Sequence, residues 1–281
     1  MSSNNSFSTT SSTTDFLASN SLVAKFSFLL LILFVFILLL RVGVSIIAWM
    51  FSPNGSPHLM DGMIDATQQM TFVQDPSGSN GGTVSTIYRS KNATDGLEFT
   101  WSVWVNITNL QYLEGRYRHI FYKGNENYLQ NGMNYPNNAP GLYIGPYTNS
   151  LIVVMNTFNE INQEIIIPDI PLNLWVNVLL RCENQTLDVF INGTITKSVR
   201  LHGVPKQNYG NVFVAANGGF EGYISNLWYW NYALGTREIQ KIASKGPNTT
   251  PIGNSTLGNN YNMDYLSLRW FFRGPGNMFN P

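Results

Sequence analysis

The chain has 281 residues, with 16 basic and 16 acidic side chains and a formal charge of zero. Only 11% of its residues are charged, so it has no electrostatic footprint for nucleic acid. Its one cysteine, Cys182, excludes an internal disulfide, and 14% aromatics with 24 glycines suit one β-rich, turn-rich domain with appendages.

Residues 1–24, opening MSSNNSFSTTSSTT, have almost nothing to bury and read as a disordered Ser/Thr/Asn tail. Residues 25–51 read as one transmembrane helix: a nearly unbroken apolar run to Leu40, then Arg41, then VGVSIIAWMF. The apolar stretch would span about 39 Å as a helix, beyond the ~30 Å hydrocarbon thickness, which lets Arg41 snorkel toward the far interface beside Trp49. A cleaved signal peptide is the rival, since Gly43-Val44-Ser45 offers small residues to a peptidase. Lys25 before the helix and Asp61, Asp65 and Asp75 after it favour the tail inside and the following domain outside the cytoplasm.

Residues 52–60 form a Pro- and Gly-broken linker, and residues 61–246 the folded domain. Strands are expected at 82–89 and at 97–108, where Phe99, Trp101, Val103, Val105 and Ile107 share a face opposed by Trp104. Further strands fall at 118–123, 142–147, 151–158 and 164–168. Between them residues 125–141, NENYLQNGMNYPNNAPG, form a long aperiodic loop, of a length that usually carries function or disorder. Residues 175–232 contain at least four short strands. Val176, Val178, Leu180 and Cys182 face one way, Leu187, Val189 and Ile191 share a face of the next, and Asn192-Gly193 is the dipeptide suited to a type I′ hairpin. Such a meander buries one face against a second sheet, giving an all-β, two-sheet antiparallel sandwich. A short helix over 235–245 follows. Residues 247–281 are a polar linker and an apolar strand, with Leu266, Leu268, Trp270 and Phe272 on one face, docked on its own domain or on a neighbouring chain.

Asn-x-Ser/Thr sequons begin at Asn54, Asn92, Asn106, Asn184, Asn192, Asn248 and Asn254. Asn106 lies in a strand and is a poorer acceptor, which leaves Asn92, Asn184, Asn192, Asn248 and Asn254 as candidate glycosylation sites, with unmodified turn asparagines as the alternative.

The strand-opening Trp175, the hairpin LDVFINGT, the closing GFEGYISNL and the terminal NYALGTREIQKIASKGP together resemble the laminin-G-like jelly-roll family of the concanavalin A-like lectin and glucanase superfamily. The resemblance covers roughly residues 61–246 and implies the jelly-roll fold. More loosely, a membrane-anchored domain of this make resembles proteins of large DNA viruses that infect protists, which implies a virion membrane or capsid component.

Glucanases of that superfamily resemble one another in a Glu-x-Asp-x-Glu strand, whose period of two brings nucleophile and acid/base to one face. Here none of the sixteen carboxylates lies two residues from another, so hydrolysis is disfavoured. His58, His119 and His202 are isolated, and the His119 of RHIFYK reads as a strand histidine with its bonds satisfied. Some relatives hold calcium, for which Asp75 or Asp188 would have to serve, but no oxygen cluster accompanies them; no metal and no cofactor is expected.

Binding remains. Sugar recognition needs flat aromatic faces and amides that both donate and accept hydrogen bonds. The 125–141 loop, with a second loop at Gln207-Asn208-Tyr209, supplies Tyr128, Tyr135, Asn137, Asn138, Asn208 and Tyr209 as candidate contacts. Trp228, Tyr229 and Trp230 read as core of the closing strand. The expected partners are a membrane, through one helix, and either glycans or neighbouring structural proteins.

Overall fold

In a computed structural model the described residues are 22–50, 55–74 and 86–252. They fall into two units, divided after Asn54. The first holds α1 (Leu22–Met50), the one helix among the described residues long and apolar enough to cross a membrane. Its 29 residues span about 44 Å at 1.5 Å per residue.

The second unit is a two-sheet antiparallel β-sandwich. One sheet runs β1 (His58–Asp65), β13 (Glu221–Trp230), β4 (Gly96–Asn109), β9 (Trp175–Asn184), β10 (Thr186–Ile191) and β11 (Thr194–Arg200), with β3 (Lys91–Ala93) paired to β4. The other runs β2 (Met70–Phe72), β12 (Asn211–Val214), β5 (Arg118–Gly124), β6 (Gly141–Ile144), β7 (Ser150–Met155) and β8 (Gln163–Pro168). Alternation decides what lies between them: Phe99, Trp101, Val103, Val105 and Ile107 of β4 meet Leu142, Ile144, Leu151 and Val153 across a continuous core. The Asn192-Gly193 turn carries positive φ at both residues, as a type I′ hairpin requires, and Ile191 pairs with Thr194 across it.

Three strands, β1, β2 and β3, escaped the sequence pattern. β1 occupies residues assigned to the linker and the domain's first residues, because register shifts between His58 and Met60 and between Met60 and Met63, with Gly62 at φ 128°, break its period of two. The start of the polar 247–260 segment is also structured: Met63 and Pro251 form a parallel bridge, and Ile252 N–H donates to the Met63 carbonyl at 2.9 Å. Conversely, the strand expected over 82–89 is not found at 86–90. The apolar strand at 266–272, Asn254 and Asp75 lie outside the described residues.

Both outer faces of the sandwich are partly covered. Helix α2 (Thr236–Lys245) begins where the Glu238 carboxylate accepts from Gly235 N–H at 3.0 Å, and it lays Ile239 and Ile242 against Leu179 and Phe190 on the outer face of the β4–β9–β10 sheet. Cys182 is fully buried in the core, and burial pushes its thiol up to about 12. The native protein should therefore leave a thiol-reactive disulfide reagent unconsumed at pH 8 and take up one equivalent only after denaturation; rapid native labelling would contradict this burial.

Candidate functional site

The 125–141 loop is a cover on the outer face of the β5–β6–β7 sheet. A register shift between His119 and Phe121 puts Ile120 and Phe121 into the core and leaves His119 and Tyr122 facing outward. On them, with Tyr143, Ile152, Val154 and Phe213, the loop lays Met133, while Tyr128 packs at the edge. Its polar groups are tied down. His119 Nε2 lies 2.6 Å from the Gly132 carbonyl, Asn138 Nδ2 donates to the Asn134 carbonyl at 2.6 Å, and the Tyr143 hydroxyl donates to Asn138 Oδ1. Asn134 Nδ2 donates to the carbonyls of Asn125 and Asn127.

This corrects the reading of Asn138 as a ligand contact: it has no exposed surface, and both ends of its amide serve the loop. Tyr128 is half-buried, with its hydroxyl 3.1 Å from that of Tyr122. Asn208 is also committed, donating to the Lys123 carbonyl at 2.9 Å and accepting from Gly210 N–H at 2.7 Å. Lys123 beside it is buried, with Nζ donating to the Gly210 carbonyl and to Gln74 Oε1, and burial lowers its ammonium to about 7.

What stays open is the place where three loops meet. Asn156, at the end of β7, knots them: its N–H donates to the Asn138 carbonyl, its Nδ2 to the Pro136 carbonyl, and its own carbonyl accepts from Lys206 N–H. Around this knot Tyr135 is 41% exposed, Tyr209 65% and Phe158 69%, with Asn137 half-buried. Lys206 Nζ stands 5.4 Å over the Phe158 ring, a cation–π contact. Phe158 N–H donates to the Val204 carbonyl, which ties its loop to that of Lys206. Phe158 and Lys206 were not foreseen. Phe158 was counted as the last residue of a strand, although the strand ends at Met155 and the polar Asn156-Thr157 that follows was the available signal.

Glu183 and Asp188 converge on one guanidinium, that of Arg181, with Asp188 Oδ2 3.5 Å from it and Asp188 Oδ1 accepting from Ser198 Oγ at 2.6 Å. Among the described residues no group of three or more His, Cys, Asp or Glu side chains is placed to hold a metal ion. Of the sequon asparagines, Asn92 and Asn192 are exposed. Asn184 and Asn248 are half-buried, and Asn248 Nδ2 donates to Asp61 Oδ1 at 2.9 Å, a bond a glycan there would disturb. Of the three aromatics read as core in β13, Tyr229 joins Ile224 and Leu227 in it, whereas Trp228 and Trp230 face outward and are half-buried, because period two sets them opposite Tyr229.

A laminin G family model, described as the concanavalin A-like lectin/glucanases superfamily, matches residues 77–240. No curated protein matches the chain. Among solved structures, similar ones include the binding domain of botulinum neurotoxin serotype G, 13% identical with a TM-score of 0.44, over 66% of this chain and 46% of that one. The binding domain of botulinum neurotoxin DC is similar in its complex with rat synaptotagmin II (13% identity, TM-score 0.40, 55% and 37% covered) and in its complex with SialylT (13%, 0.39, 53% and 35%). The chain spans less than half the length of each of these three.

Proposed function

Because the chain belongs to the concanavalin A-like lectin/glucanases superfamily, we propose that it is a membrane-anchored, lectin-like binding module, held by α1 with the sandwich on the non-cytoplasmic side. The observation that carries this reading is the set of exposed aromatic faces, Tyr135, Phe158 and Tyr209, on loops fixed to one another through Asn156. Rings of this kind offer flat apolar surface to the C–H faces of sugars at little cost in side-chain entropy, and rigid loops spare the ordering cost of binding. Bond-breaking chemistry draws no support from Glu183 and Asp188, which are spent on Arg181.

A second reading rests on the covered face. The 125–141 loop fills the outer surface of the β5–β6–β7 sheet with Tyr128 and Met133, as suits a structural protein, such as a virion membrane or capsid component, whose contacts are with neighbouring proteins. A glycan array probed with the full chain in detergent and with residues 55–281 separates the two. The lectin reading expects selective binding that falls about tenfold or more in Tyr135→Ala/Tyr209→Ala, the loss typical of truncated aromatic anchors, with an unchanged melting temperature because both side chains are exposed. Binding at background level throughout, or indifference to the double substitution, would overturn it.

A further inference from the structure

A recess of about 290 Å³ lies between α2 and the outer face of the β13–β4 pair, on the other sheet from the three-loop site. Its floor is aromatic. Trp228 and Trp230 of β13 have ring centroids 5.5 Å apart and planes within 13°, Trp104 of β4 lines the same recess, and His58 of β1 backs Trp228 at 3.8 Å. The strand is specially shaped here: a register shift between Ser225 and Trp228, with Asn226 at φ 50°, leaves Trp228 paired with Ser102. Bulges of this kind re-aim side chains, and a non-glycine residue at positive φ is kept at a cost.

The overhanging wall is cationic. Lys241 and Lys245, four residues apart on α2, both line the recess, and neither ammonium group makes an ion pair or hydrogen bond among the described residues, the Lys241 carbonyl accepting from Ser244 Oγ. A cation in the last turn complements the helix dipole. Two like charges at this spacing instead repel one another, and no carboxylate lines the recess to offset them. Glu238, three residues before Lys241, is engaged at the start of the helix by Gly235 N–H, and Asp61 faces His58 and Asn248. Donors continue inward: Ser102 Oγ accepts from Asn177 Nδ2 at 3.0 Å, which leaves its own hydrogen to donate.

We infer that this recess binds an acidic sugar residue: a pyranose ring lying on the indole floor, its carboxylate or sulfate held by Lys241 and Lys245. Indole faces select the ring and ammonium groups the anion, and neither alone accounts for both walls. The volume sits at the lower end of the range for small-molecule pockets, about 300–1,000 Å³, which suits one ring and its substituent. The site stands apart from the three-loop surface, and either can fail without the other.

The test uses the full chain in detergent with ¹⁵N-labelled tryptophan, the Nε1–H resonances of the recess being identified with Trp228→Phe and Trp230→Phe. Glucuronic acid, glucose and inorganic sulfate are titrated separately. Glucuronic acid should shift the Trp228 and Trp230 resonances saturably, with a Kd at least about tenfold below that of glucose, as expected of a charge-assisted contact. Lys241→Gln/Lys245→Gln, which alters only exposed helix positions, should abolish that preference and leave glucose unchanged. The inference is overturned if glucuronic acid leaves both resonances in place, if glucose matches it, if sulfate binds as tightly, or if the lysine variant keeps the preference.

Discussion

Trp101→Ala should lower the stability of the sandwich by about 3–5 kcal/mol, the range measured for emptying a buried Trp or Phe site. Trp101 is 1% exposed and sits where the layers are keyed together: its ring lies 5.2 Å from that of Phe121 on the opposite sheet and 4.5 Å from that of Tyr229 on the neighbouring strand. Its backbone pairs with Leu180 of β9 and Tyr229 of β13, so the cavity would open at the centre of the most extensive strand pairing in the domain, where collapse is least able to fill it. Against a total of about 5–15 kcal/mol for a domain, this is a large share. Urea unfolding of residues 55–281 followed by far-ultraviolet circular dichroism measures it. Trp101→Phe should cost less, since a ring still reaches Phe121 and Tyr229. A Trp101→Ala midpoint equivalent to within ~0.5 kcal/mol of wild type, the scale of surface substitutions, would mean that the ring is not the key between the sheets.

The position of Trp101 was legible from the sequence because strict alternation from Phe99 to Ile107 survives in the structure, and the Asn192-Gly193 turn was legible because its backbone demand is nearly unique to that dipeptide. Where bulges intervene, the pattern misleads. Alternation through RHIFYK groups His119 with Phe121 and Ile120 with Tyr122, whereas the shift at Ile120 places His119 and Tyr122 together under the loop. The candidate site was legible only as an inventory. The Tyr and Asn content of the 125–141 loop was plain, but which residues turn inward depends on the surface the loop lands on. That surface, built by Tyr122 and Tyr143, recruits Asn138 as a structural amide and leaves Tyr135 outside. In the same way, period two assigns Trp228 and Trp230 to the face opposite Tyr229, but the lysines that overhang them come from a helix whose docking the local pattern does not specify.

The burial of His119 predicts a specific weakening in acid. The ring has no exposed surface, is enclosed by Tyr122, Tyr128 and Tyr143 with ring centroids at 4.9–5.4 Å, and has Nε2 2.6 Å from the Gly132 carbonyl while Nδ1 is buried without a partner. The neutral tautomer with Nε2–H donating to Gly132 fits this enclosure. Protonation would add a Nδ1–H with no acceptor, and burial accordingly lowers the pKa from 6.5 to about 4. Between those values the unfolded chain binds the proton and the folded one does not, so this residue's contribution makes stability rise with pH from about 4 to 6.5 and stay level above. The full difference is roughly 3 kcal/mol, at about 1.4 kcal/mol per pH unit. His119→Gln separates this contribution from that of the carboxylates, which titrate nearby in pH: the glutamine amide can still donate to Gly132 but takes up no proton. Wild type should lose roughly 3 kcal/mol more than the variant between pH 6.5 and pH 4 in urea unfolding. Because His119 anchors the loop at Gly132, amide exchange at 128–134 should accelerate with it. Parallel pH profiles for the two proteins would show that His119 is already protonated, or free to be, beneath the loop.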